Sequence, residues 1–262
     1  MKFFRNWGNR KPEADIESVY VSEKFGVRTL HIGSDTIQSA MRIARPDELE
    51  ISYTRSMMAF LLFNPDPREV LMMGLGGGSL AKFIYHRLPR ARTVAVEINP
   101  RVVAVARQFF QVPPDDARLQ IVVGDGAAYL GNDNLRVDVI LVDGYDADSQ
   151  VEAMSTPAFY HDCARVLGDA GTLVVNLWSG DRAFTTCMDR ISRAFDGLVA
   201  CLPAAKPGNI AVFAFKRSPG QPAWDDLRGR AQALEASHGL EFARFVQDLA
   251  AMNPHDPERL LL

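Results

Sequence analysis

Val70-Leu71-Met72-Met73-Gly74-Leu75-Gly76-Gly77-Gly78-Ser79-Leu80 reads as an apolar strand running into a glycine loop and then a helix, with Val94-Ala95-Val96-Glu97 following about twenty residues on. Such a loop leaves bare backbone amides at the positive end of a helix, where a nucleotide-like ligand can approach closely. The glutamate at the end of the next strand then falls where ribose hydroxyls would lie. A glycine-rich turn also serves close packing of helix on strand. The loop therefore acquires meaning only from the residues around it.

Downstream, apolar strand signals at 70–73, 93–97, 119–123, 137–142 and 172–177 alternate with helical signals at 79–87, 100–110 and 157–167. Buried strands separated by helices predict a parallel sheet covered on both faces. After a helix at about 182–195 come two β runs, 198–202 and 210–215, whose connection is too short for a helical crossover, so the pair must be antiparallel. The expected fold is α/β: a doubly wound, mostly parallel, Rossmann-like sheet of the methyltransferase type with a terminal antiparallel hairpin.

Upstream, 18–22 and 27–32, the Gly33-Ser34-Asp35 turn and 36–39 predict a small N-terminal β-hairpin unit. The spacing of Leu49, Tyr53, Met57, Phe60 and Leu61 predicts a helix over 47–63, capped by Asp47 and ended by Pro65 and Pro67. Beyond Pro222, 224–238 and 240–252 read as two helices. The chain thus divides into an N-terminal β unit (1–45), a nucleoside-binding catalytic domain (46–217) and a C-terminal helical extension (218–262).

With 262 residues, 47% hydrophobic and 23% charged, the chain can bury a substantial core. A formal net charge of −3 gives no bulk attraction to nucleic acid or to an anionic membrane. The N-terminal Met1-Lys2-Phe3-Phe4-Arg5-Asn6-Trp7 lacks the apolar core of a signal peptide, and no run approaches the roughly 18 apolar residues of a membrane span. A cytoplasmic location is expected, with neither nucleic acid nor membrane as partner. Cys163, Cys187 and Cys201 lack metal-ligand spacing, and His31, His86, His161, His238 and His255 are scattered, so neither a disulfide nor a metal site is expected.

In open parallel sheets ligands sit beyond the C-terminal strand ends. Glu97 there can accept hydrogen bonds from both ribose hydroxyls, or can cap the helix that starts near Pro100. Asp125, in Gly124-Asp125-Gly126-Ala127, can accept from an adenine amino group or cap the next helix. Asp143 and Asp146 in Val142-Asp143-Gly144-Tyr145-Asp146 stand three residues apart at the mouth of the cleft, where crowded carboxylates can hold a cationic amine or take a proton from one. Asp-Gly loops also form simple solvated turns.

The order of glycine loop, strand-end Glu97, Asp125-Gly126, Asp143-x-x-Asp146 and then Phe159-Tyr160 resembles the spermidine synthase (polyamine aminopropyltransferase) family. Gln38 in the N-terminal unit, Ser52-Tyr53 before Asn64-Pro65-Asp66-Pro67, and Gly208-Asn209-Ile210 extend the resemblance over roughly 33–216. It implies a small β unit before a methyltransferase-like domain, often in dimers, so a homodimer is expected. It also implies transfer of an aminopropyl group from decarboxylated S-adenosylmethionine, a co-substrate rather than a resident cofactor, to a di- or polyamine, releasing methylthioadenosine. By the resemblance Glu97 binds the ribose, and Asp125 with Gly126 the adenine. Gln38 with Gly74, Gly76 and Gly77 binds the rest of the nucleoside. Asp143 is the base, Asp146 holds the amine, and Tyr53 supports the attacking nitrogen.

The chain departs from the family's pattern at four places. Gly77 stands where the family's glycine loop usually carries an Asp, and Tyr53-Thr54-Arg55 replaces Tyr-Gln-Glu or Tyr-His-Glu, putting a cation on the expected substrate side. Ala147 replaces a Pro after Asp146, and Ala205 replaces an aromatic before the late glycine motif. A loop without the Asp leaves backbone amides able to accept a carboxylate. An S-adenosylmethionine-dependent methyltransferase therefore stays open as an alternative, as does a non-catalytic nucleoside- or polyamine-binding homologue.

Overall fold

The computed structural model describes residues 18–144 and 152–262, and Asp146 lies outside them. Three strands come first: β1 (Val19–Lys24), β2 (Val27–Ile32) and β3 (Ile37–Arg42). They form an antiparallel sheet in the order β1-β2-β3, so the expected hairpin is completed by a third strand containing Gln38. Leu30 and Met41 of this sheet pack on Val102 and Phe110 of the main body.

The segment expected as one helix over 47–63 is shorter and tighter. Helix α1 (Ser52–Met57) passes directly into a 3₁₀ turn, Met58–Leu62. Asp47 does not cap it: the residue before α1 is Ile51, which makes no side-chain cap, and Asp47 instead pairs with Arg87. The physical reason is burial on every side. Met57, Met58, Ala59, Phe60, Leu61 and Leu62 are all inaccessible, so the apolar residues do not mark one face of a 3.6-residue period. Removing a side chain such as Phe60 from this plug would cost about 3–5 kcal/mol.

The main sheet follows with β4 (Glu69–Met73), α2 (Ser79–Arg87), β5 (Arg92–Glu97), α3 (Pro100–Phe109), β6 (Leu119–Val123), α4 (Gly126–Tyr129), β7 (Val137–Val142), α5 (Pro157–Val166), β8 (Leu167–Trp178), α6 (Phe184–Ala194), β9 (Val199–Pro203) and β10 (Asn209–Phe215). Its strand order is β6-β5-β4-β7-β8-β10-β9. The first five strands in that order are parallel, and β10 is antiparallel to both β8 and β9, as the short connection requires. Strand β8 begins five residues earlier than its apolar run, because Leu167 pairs with Val137 before a register shift brings Thr172 opposite Val139.

Alternation along the strands splits the core into two layers. Val70 and Met72 face one layer with α2, α3, the 3₁₀ plug and the C-terminal helices, while Leu71 and Met73 face the other with α5 and α6. The C-terminal helices, α7 (Trp224–His238) and α8 (Phe242–Met252), bury Trp224, Leu227, Phe242, Phe245 and Leu249 in the first layer. Asn253, just beyond α8, donates to the carbonyl of Cys201 and accepts from its N–H, so that one amide serves the outer edge of β9 as a strand partner would.

Candidate active site

The parallel register brings five strand ends to one rim. Gly74 N donates to Val96 O, Asp143 N to Met73 O, and Gly124 N to Glu97 O. Read across the sheet, the rim carries Asp125, Glu97, the glycine loop, Asp143 and then Asn176 of β8, which is the crevice where open α/β sheets place ligands.

Gly74 has φ +92°, and a Cβ there would lie 2.5 Å from the carbonyl oxygen of Asp143. Only a glycine lets the loop start this close to the next strand end. Gly78, at φ +68°, is the residue before α2, and a Cβ there would run into the Val112 side chain. Gly77 has ordinary φ, but a Cβ on it would lie 2.7 Å from Ser39 Oγ and 2.9 Å from the Phe110 ring. Strand β3 and the end of α3 thus occupy the space into which a side chain at this position would start.

Glu97 is 8% exposed. Its Oε2 accepts from Leu75 N in the glycine loop (2.9 Å) and its Oε1 from Asn99 N (3.0 Å), so the carboxylate is fixed while each oxygen keeps further acceptor capacity. Asn99, not Glu97, caps α3 through Arg101 N. Asp125 does cap a helix: its Oδ1 accepts from Ala127 N and Ala128 N. At the adjoining ends of β5 and β6, Ile98 and Val123 are 69% and 52% exposed and offer apolar surface beside Glu97 and Asp125. Gly126 lies against Met73, where a Cβ would come within 2.7 Å of its sulfur.

Asp143 is held from two sides. Its Oδ2 accepts from the Tyr53 hydroxyl at 3.0 Å and its Oδ1 from Asn176 Nδ2 at 2.9 Å. The amide of Asn176 is itself oriented, because its Oδ1 accepts from Asn209 Nδ2 at 3.0 Å. Burial raises the Asp143 pKa above the usual carboxylate value, against the two hydrogen bonds that lower it. Burial also pushes the Tyr53 hydroxyl well above its ordinary value, helped by the Asp143 charge and the shared hydrogen bond, so Tyr53 remains a donor.

The remaining sequence candidates divide. Gln38 lies partly buried on β3, next to Ser39, whose Oγ is 3.3 Å from Ser79 Oγ at the start of α2. Arg55 does not face the Asp143 site: it pairs with Glu241 at 2.8 Å and donates to the carbonyls of Leu49 and Glu50, tying α1 to the head of α8. Beneath the glycine loop, buried Lys82 donates to Phe110 O at 2.7 Å and touches Met41 Sδ at 3.0 Å, joining β3, α2 and the end of α3. Burial lowers its pKa to about 8, opposed by the charge of Asp47.

The residue types of Asn176, Ser39, Ile98 and Val123 do not mark them as site residues, and Asn209 carries no role in the sequence beyond its place in the late glycine motif. Asn176 did leave a signal, a single amide inside the apolar run 173–177, since a buried amide must find partners.

Comparison with known proteins places this geometry among relatives. The chain is 47% identical over 247 residues to a polyamine aminopropyltransferase of Chromobacterium violaceum, covering 94% of this chain and 95% of that one. It is 41% identical over 248 residues to a polyamine aminopropyltransferase of Neisseria meningitidis, covering 94% of both chains. The fold matches the crystal structure of a probable spermidine synthase from Corynebacterium glutamicum with a TM-score of 0.67 at 19% identity, over 93% of this chain and 95% of the other. Residues 50–216, from just before α1 to just after β10, match the family described as the spermine/spermidine synthase domain. A strand-end acid clasped by the glycine loop, a second acid held by Tyr53, and near-complete coverage of relatives at this identity have one common explanation: the chain belongs to the spermine/spermidine synthase family.

Proposed function

We propose that the chain transfers an aminopropyl group from decarboxylated S-adenosylmethionine to a di- or polyamine and releases methylthioadenosine. The observation that carries this reading is the Asp143 carboxylate, fixed by Tyr53 and Asn176 beside a glycine loop whose neighbouring strand end bears Glu97. Glu97 takes the ribose hydroxyls. The free oxygen of Asp125 meets the adenine edge, and Ile98 and Val123 take the adenine faces. The donor's sulfonium then points along the loop toward Asp143.

An alkylammonium, with an unperturbed pKa of ~10.4, is almost wholly protonated at neutral pH and has no lone pair to attack with. Asp143 accepts one proton from it. The freed nitrogen pair forms a bond to the propyl carbon, the carbon–sulfur bond breaks, and its electrons stay on sulfur, which becomes the neutral thioether of methylthioadenosine. A carboxylate whose pKa is raised by burial is a better base for this step than an exposed one. Because the sulfonium already activates its carbon, holding nitrogen and carbon in line supplies much of the acceleration.

Gly77 supports a second reading, in which intact S-adenosylmethionine is the donor of a methyl group. No acidic side chain stands at that position to repel its carboxylate, and the space is filled by Ser39 and Phe110. Incubating the chain with each sulfonium compound and a panel of amines separates the two readings. Methylthioadenosine formed from the decarboxylated donor supports the first; S-adenosylhomocysteine formed from the intact one would replace it with the second.

A further inference from the structure

We infer that Trp178 is the far wall of the acceptor site and receives the second, non-reacting ammonium of the amine together with its neighbouring methylenes. The inference rests on the aminopropyl-transfer reading and adds a specificity-determining residue to it.

Along β8 the side chains of Val174, Asn176 and Trp178 share one face, since alternate residues of a strand point the same way. Val174 is buried in the core and Asn176 holds Asp143, so Trp178 stands one strand repeat further out, roughly 7 Å along β8 from the amide that orients the base. Its cross-strand partner is Asn209, the other member of the amide relay, so strand pairing places the indole above the Asp143 network.

Trp178 is 47% exposed, while Leu177 before it is buried. Two glycines make room for the ring. A Cβ on Gly208, which has φ +121°, would lie 2.9 Å from Trp178 Nε1, and a Cβ on Gly180 would lie 3.0 Å from the six-membered ring. The indole therefore rests on the β9–β10 turn, the same turn that carries exposed Ala205. A large, partly exposed indole at the edge of a cleft offers both a cation–π face for an ammonium and an apolar surface for an alkyl chain. Asp143 acts at the reacting nitrogen, and Trp178 stands one strand repeat, roughly 7 Å, beyond the Asn176 that holds Asp143, a spacing comparable to a short diamine.

The test is the ratio of kcat/KM for a diamine to that for a monoamine of equal chain length, measured for the wild-type chain, W178F and W178L. Only the diamine has a second ammonium. The ratio should fall about 5- to 30-fold in W178L and less in W178F, with the loss carried by the diamine KM and with the KM for the donor unchanged. Quenching of Trp178 fluorescence by the diamine in the absence of donor, lost in W178L, reports the same contact without turnover. A W178L ratio within twofold of wild type, with the wild-type chain active, would overturn this inference alone. A wild-type chain that turns over no amine would overturn it together with the reading beneath it.

Discussion

Tyr53 on α1 and Asp143 at the end of β7 lie ninety residues apart in sequence and meet through a 3.0 Å hydrogen bond. Its direction is fixed, because burial and the neighbouring charge keep the tyrosine protonated. Tyr53→Phe removes one of the two bonds that hold the Asp143 pKa down, so the acid limb of the kcat/KM profile should move to higher pH. Turnover at neutral pH should fall by about 10-fold while donor affinity is kept. A pH–rate series on both chains reads both effects, and an acid limb that stays put or moves down would contradict the role given to the hydroxyl.

The Asp143 carboxylate also has a cost for the fold. Its pKa is raised by burial relative to the unfolded chain, so its contribution to stability is fully present below the unfolded value and is lost as pH rises through the folded one. Asp143→Asn should therefore be at least as stable as wild type at pH 7, with the advantage shrinking as the pH falls through the raised Asp143 value toward the ordinary carboxylate range and gone below it. Urea unfolding of both chains across that range tests the sign.

Glu97 offers a different kind of test, since each of its oxygens faces a backbone N–H. Glu97→Gln turns an NH₂ group toward either Leu75 N or Asn99 N and removes the charge that strengthens bonds to ribose hydroxyls. Donor affinity should drop roughly 10- to 100-fold, read by titration calorimetry with the sulfonium nucleoside. The acceptor KM at saturating donor should stay within twofold.

At Gly77 the structure makes a prediction opposite to restoring the family's pattern. Gly77→Asp drives a Cβ against Ser39 and Phe110, so it should destabilise the chain by about 1–3 kcal/mol and weaken donor binding rather than improve it. Gly74→Ala should be worse, because the clash is with backbone and the conformation itself is left-handed. A Gly77→Asp chain that binds the decarboxylated donor more tightly would show that β3 yields easily.

Arg55 should prove to be structural. With Glu241 and two carbonyls as its partners, Arg55→Met should lower Tm by about 2–4 °C and leave kcat and the amine KM within twofold.

The parts of the fold that were legible in the sequence are those where one physical signal dominates. The glycine stretch at 74–78, the helix Ser79–Arg87, the strands Leu119–Val123 and Val137–Val142, and the helix Trp224–His238 follow from local periodicity and breakers. Periodicity failed at 47–63, because Met57–Leu62 is buried all round and Asp47 is drawn to Arg87 instead of to a helix end. The acids Glu97, Asp125 and Asp143 were legible because strand ends are where parallel sheets bind ligands. Their partners were not: Ser39 reaches Gly77 from another sheet, Asn209 reaches Asn176 across an antiparallel pair, and Arg55 finds Glu241 far along the chain. Such contacts depend on tertiary placement, which spacing along the chain does not encode.

The most direct measurement is a single turnover with donor prebound, comparing wild type with Asp143→Asn at neutral pH. The wild-type chain should release methylthioadenosine and aminopropylated amine in equal amounts, and the Asn variant should bind the donor as well but react 10²- to 10⁴-fold more slowly. A variant that keeps the wild-type rate would contradict Asp143 as the proton acceptor at the centre of this account.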